Sequence, residues 1–121
     1  MPIKALVLAG ALVLTLSSNE ASAQQQFNGT WNIEVIPQRG NCNKGLSFPV
    51  LIQNGQVRYA GAEGLGVTGA ITARGVIRGS VGVGPIQASV VGRLSRRTGA
   101  GTWAASGSVD CSGRWQAGKL V

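Results

Sequence analysis

From Phe27 onward the chain alternates apolar residues with small or polar ones, in short runs cut every few positions by glycine. A period of two marks a strand with one buried face, and no stretch after Phe27 carries the 3.6-residue period of a helix. The alternation therefore restricts the fold to sheet. The runs are short and the connections are of hairpin length, which predicts an antiparallel meander.

The first run places Phe27, Gly29, Trp31, Ile33 and Val35 on one face, and Pro37 is expected to end it. Gln38 to Gly45 reads as a loop carrying Cys42. Leu46 to Tyr59 is the strongest local signal. Asn54-Gly55 sits between two alternating runs, as a type I′ turn requires, because both central residues need positive φ. The resulting register puts Phe48, Val50, Ile52, Val57 and Tyr59 on one face. Further inward rows follow at Val67, Gly69, Ile71, then Ile77, Gly79, Val81, Val83, then Ile86, Ala88, Val90, Gly92, Leu94. The last two rows are Gly101, Trp103, Ala105 and Cys111, Gly113, Trp115, Ala117. Turns are expected at Gly61 to Gly66, Thr72 to Gly75, Gly82 to Pro85, Ser95 to Gly99 and Gly107 to Asp110.

About eight strands result, and the expected fold is an all-β, up-and-down meander closed, or nearly closed, into a barrel. An even strand count leaves the first and last strands antiparallel, so they can pair. Many of the glycines fall on the inward face beside Trp31, Tyr59, Trp103 and Trp115, the candidate interior residues. Missing Cβ atoms make room for indoles. An eight-stranded barrel is narrow enough for side chains to fill it or to hold one small ligand; a packed core is the expectation.

The start of the chain reads as a cleaved signal peptide, residues 1–23. Lys4 supplies the positive n-region, Ala5 to Leu16 the apolar segment, and Ala21-Ser22-Ala23 the cleavage site. The apolar run is short of the roughly 20 residues a membrane-spanning helix needs. A single domain over 24–121 remains. Export, to the periplasm or beyond the cell, takes Cys42 and Cys111 into an oxidising compartment. They are the only cysteines, so one intrachain pairing exists. That bridge would join the end of the first strand to the start of the last and clamp the seam.

The chain carries 11 Lys and Arg against 4 Asp and Glu, a net +7. This balance favours anionic partners. Arg58, Arg78, Arg93 and Arg114 fall on outward positions and Arg96-Arg97 in a turn, forming a candidate basic surface. Nucleic-acid modules interleave such charge with stacking aromatics, and here every aromatic falls on the core face. An anionic protein, glycan or lipid surface is therefore the expected partner, and nucleic acid is not.

Catalysis has little to work with. There is no histidine, which excludes Ser-His-Asp and Cys-His arrangements. After the leader the acids are Glu34, Glu63 and Asp110, with no sequence pattern that pairs them. A transition-metal site lacks imidazole, and the bridge would consume both thiols. Gly64-Leu65-Gly66-Val67-Thr68-Gly69 matches a dinucleotide fingerprint, but a strand follows it where a helix is required. Asn28-Gly29-Thr30 fits a glycosylation sequon on outward positions. No catalytic, metal or cofactor residue is assigned.

The mature chain resembles a family of short exported proteins of Gram-negative bacteria. The resemblance rests on Phe27-Asn28-Gly29-Thr30-Trp31, the early Cys42, Tyr59-Ala60-Gly61, Gly101-Thr102-Trp103-Ala104-Ala105-Ser106 and Cys111-Ser112-Gly113-Arg114-Trp115. Some members are labelled exoproteins of heme utilisation or adhesion. Heme is normally held by His, Cys, Met or Tyr, which leaves Tyr59 as the lone candidate. More distantly, the Gly-x-Trp entry strand with a meander is similar to calycin barrels.

The leading expectation is an exported, non-catalytic binding protein that meets an anionic or macromolecular partner at the cell envelope or outside the cell. The alternatives are a carrier of a small apolar ligand, heme included, inside the barrel, and a surface structural or adhesive protein.

Overall fold

The computed structural model describes residues 23–42, 44–62 and 64–121. Residues 1–22 of the expected leader, and Glu63, lie outside them. Eight strands follow in order: β1 Gly29–Gly40, β2 Leu46–Gln53, β3 Gln56–Tyr59, β4 Gly66–Ile71, β5 Val76–Val83, β6 Ile86–Leu94, β7 Thr98–Gly107 and β8 Cys111–Lys119. Each pairs antiparallel with its neighbour in sequence, and β1 pairs with β8 to close the barrel.

The local signals explain the register. Asn54 and Gly55 have φ of 52° and 81°, and they set Gln53 opposite Gln56 and Ile52 opposite Val57. The inward rows read from the alternation supply the core: Trp31, Phe48, Val50, Ile52, Ile71, Ile77, Leu94, Trp103 and Trp115 are all buried. The β5–β6 connection is tighter than the expected turn, with only Gly84 and Pro85 between the strands. Gly84, at φ 57°, supplies the left-handed first position such a loop needs.

Pro37 does not end the first strand, contrary to expectation; β1 continues to Gly40. Proline cannot donate to a ladder and is confined to edges and bulges. Here the β1–β8 register shifts between Pro37 and Arg39, so a bulge absorbs the missing N–H. Gly113 lies opposite, and a Cβ there would stand 3.0 Å from the Pro37 Cα. The extension carries β1 to the level of Cys111, which pairs with Gly40. Cys42 then bridges to Cys111 with 5.8 Å between Cα atoms, clamping the β1–β8 seam as the sequence implied. A disulfide points to a non-cytoplasmic environment.

In an up-and-down barrel alternate connections share an end. The loops after β1, β3, β5 and β7 form one rim; those after β2, β4 and β6 form the other, together with the segment before β1 and the end of β8. This second end is closed. Gln24 to Gln26, a polar run that by composition alone reads as a solvated tail, follow a helical turn begun at Ala23. Phe27 N–H donates to Gln24 O at 3.1 Å, and Gln24 Nε2 reaches Ile71 O at 3.1 Å. The turn delivers Phe27 into the barrel floor, where it is 2% exposed. Burying that ring contributes about 2–3 kcal/mol, enough to order a short polar segment. Trp31 Nε1 donates to Phe27 O at 2.9 Å and locks the plug to β1. No helix among the described residues is long and apolar enough to cross a membrane.

Candidate functional site

The packed core expected from sequence is only half present. The floor is filled, but above it the barrel holds a cavity of about 340 Å³. Its lining runs from Trp31, Ile52 and Leu94 at the floor to Leu46, Val83 and Ile86 at the opposite rim. The cavity therefore reaches the rim that carries the disulfide, and Cys42 and Lys44 stand beside its mouth.

The hollow follows from how the indoles are held. Trp115 projects from β8 across Gly101 of β7 and donates Nε1–H to Val91 O of β6 at 3.0 Å. A Cβ on Gly101 would lie 2.6 Å from that nitrogen, and one on Gly92 would collide with the ring at Cζ2. The ring lies flat against a bare glycine wall. Trp103 lies along the wall likewise, donating Nε1–H to Arg114 O of β8 at 2.9 Å. Each indole is tied to backbone of the barrel wall, so the rings do not cross the axis. Several other inward positions of β4 to β7 are small. Gly69 faces Gly79, and Gly79 pairs in turn with Val90. Ala88 and Ala105 are also paired across strands.

Because every indole N–H is satisfied by a backbone carbonyl, of the wall for Trp103 and Trp115 and of the floor for Trp31, the rings offer the lumen only their apolar faces. No polar or charged side chain among the described residues is buried. Tyr59, the fourth candidate interior residue, is half-buried and packs edge-on against Phe48, with centroids 6.2 Å apart and planes at 66°. It is not among the residues lining the cavity. Cys42 is oxidised, so the lining offers no free haem ligand of the types haem proteins use. Among the described residues no cluster of three metal-ligating side chains occurs.

The six candidate basic residues are divided by the topology. Arg58, Arg78 and Arg114 stand on the outer wall, where Arg58 Nη2 donates to Gln53 Oε1 at 3.3 Å. Arg93, Arg96 and Arg97 belong to the closed end, at the base of β6 and in the turn after it. Arg74 joins them there from the β4–β5 turn, and Lys119 from the end of β8. Sequence reading by face missed these two. Turn parity could have found Arg74, since the turns after β4 and β6 must share an end. Glu34 stands on the outer wall of β1, where Gln116 Nε2 donates to its Oε1 at 2.7 Å. Asp110 lies in the loop after β7, at the open rim.

Comparison of this chain with family models, with curated proteins and with solved structures gives no match.

Proposed function

We propose that the protein is an exported, non-catalytic carrier of a small apolar molecule, bound in the barrel lumen and exchanged through the disulfide-clamped rim. The observation that carries this reading is the apolar cavity of about 340 Å³, closed at one end and open at the other. Small-molecule sites typically measure about 300–1,000 Å³ and are lined mainly by apolar and aromatic groups. Water enters through the open mouth, but the lining offers it few hydrogen bonds. An apolar occupant would displace that water and take the lining out of contact with it.

The lumen supports this reading over heme binding and over a surface structural role. Heme would meet no free axial ligand on the walls. Self-assembly through sheet edges has no template among the described residues, because pairing of β1 with β8 leaves no edge strand there.

The test is titration with N-phenyl-1-naphthylamine, an uncharged probe that fluoresces in apolar surroundings. Saturable enhancement at one probe per chain is expected. Val90→Trp should abolish it, because Val90 lines the lumen between Gly79 and Trp103 and an indole there fills the axis. Equal enhancement in the folded Val90→Trp variant, or none in the wild type, refutes the reading.

A further inference from the structure

The closed end of the barrel carries a second surface that the lumen does not use. The β4–β5 turn presents Arg74, the base of β6 presents Arg93, and the β6–β7 turn presents Arg96 and Arg97; all four are exposed. Their backbones are fixed against one another. Leu94 N–H donates to Gly75 O at 2.8 Å, joining the two turns, and Lys119 N–H donates to Arg97 O at 2.8 Å. Within the turns, Gly75 N–H donates to Thr72 O at 3.0 Å and Ser95 N–H to Thr98 O at 2.7 Å. Lys119 itself is committed to the floor. Its Nζ donates to Gln26 O at 3.2 Å and stands 6.0 Å from the Trp31 ring centroid. Of the described acids, Glu34 is on the wall and Asp110 at the opposite rim. The opposite rim also carries Arg39 and Lys44, so both ends are basic and the closed end is the more strongly so.

We propose that this end docks on an anionic lipid surface, with Arg74, Arg93, Arg96 and Arg97 against the headgroups and the lumen mouth facing away. Three features favour a lipid surface over other polyanions. The arginines sit on hairpin tips and strand flanks, a blunt end suited to a spread of charge and not to a threaded strand. The aromatics of this end, Phe27 and Trp31, are buried, so nothing is offered for base stacking. Leu120 follows Lys119 and is 58% exposed, with its N–H donated to Thr30 O at 2.7 Å so that its side chain stays outward. Basic charge with an adjacent apolar group is the pairing that holds peripheral proteins at an anionic interface.

Each basic residue held near an anionic leaflet is worth about fivefold in affinity. Arg74→Ser, Arg96→Ser and Arg97→Ser together should therefore weaken binding on the order of a hundredfold. The protein, purified from the periplasm of a bacterial host, is sedimented with phosphatidylcholine vesicles with and without phosphatidylglycerol, at low and high salt. Binding is expected only with phosphatidylglycerol, falling with salt, lost in the triple variant and retained in an Arg58→Ser, Arg114→Ser wall variant. Circular dichroism confirms that each variant is folded. Undiminished binding by the folded triple variant overturns the assignment, as does equal binding to neutral vesicles. Tighter capture by polyglutamate, heparin or single-stranded DNA than by anionic vesicles overturns the choice of lipid. None of these outcomes depends on whether the lumen takes a probe.

Discussion

Gly92→Ala adds one carbon where the wall has no room. Its Cβ would collide with Ala100 O and with Cζ2 of Trp115, and would lie 2.8 Å from the Gly101 Cα. Two of these neighbours are backbone and cannot swing aside. Overpacking of this kind costs about 1–3 kcal/mol. If the indole is pushed off, its N–H also loses Val91 O, and a stranded buried donor costs about 1–3 kcal/mol more. Removing a glycine from the unfolded chain returns about 0.4–1 kcal/mol. The net expectation is a loss of about 2–4 kcal/mol, a large share of the 5–15 kcal/mol that ordinary domains possess. With a urea m-value of about 1.5 kcal/mol/M, the unfolding midpoint should fall by about 1.3–2.7 M, read from tryptophan fluorescence. Gly118→Ala is the control. A Cβ there meets nothing within 4 Å, so the midpoint should stay or rise slightly. Adding Trp115→Phe to Gly92→Ala should recover only the ring's share of the cost, a coupling of about 0.5–3 kcal/mol. Equal midpoints for the two alanine variants would refute the claim that the glycine wall exists to seat the indole.

Reduction of Cys42–Cys111, which are separated by 69 residues, should cost about 4 kcal/mol through chain entropy and lower the urea midpoint correspondingly; an unchanged midpoint under dithiothreitol would show that the seam holds without it. Phe27→Ala should cost about 3–5 kcal/mol and free the segment before β1, seen as faster amide exchange at position 27 and at Asn28, whose N–H groups donate to Gln24 O and Gln25 O. Trp31→Phe should cost about 1–3 kcal/mol, because Phe27 O then loses its buried donor; a neutral effect would separate the floor plug from β1.

Much of the fold was legible because independent local signals agreed. The Asn54-Gly55 turn fixes a register, and that register puts Val50 and Val57 on the face that alternation had already chosen as apolar. Even strand parity then brings Cys42 and Cys111 to one seam. The failures lie where a local signal met a tertiary one. Pro37 speaks against a strand only if its neighbour needs the missing N–H, and the bulge facing β8 removes that need. Gln24 to Gln26 look like solvated tail until Phe27 is seen to need a place in the floor, and the polar turn is what delivers it there.

The lumen was harder to read, and the reason is geometric. A list of inward residues gives volume but not direction. Three indoles among inward glycines suggest a filled interior, whereas the glycines let two of those rings lie flat on the wall and the third close the floor. The same residues specify a filled barrel or a hollow one according to where each indole N–H finds its acceptor. Val91 O and Arg114 O lie in the wall, so the rings are held there and the axis stays open. The signal that bears on hollowness is therefore the position of each glycine opposite or diagonal to a tryptophan. Gly101 pairs directly with Trp115, and Gly92 pairs with Gly101, so one row across β6, β7 and β8 already described a flat seat for a ring. The basic residues follow the same logic. Sorting them by face gathered Arg58, Arg78 and Arg114 with Arg93, although only the last belongs to the closed end. Sorting them by position along each strand separates a dispersed wall from a compact cap, and only the cap concentrates charge where one surface can meet it.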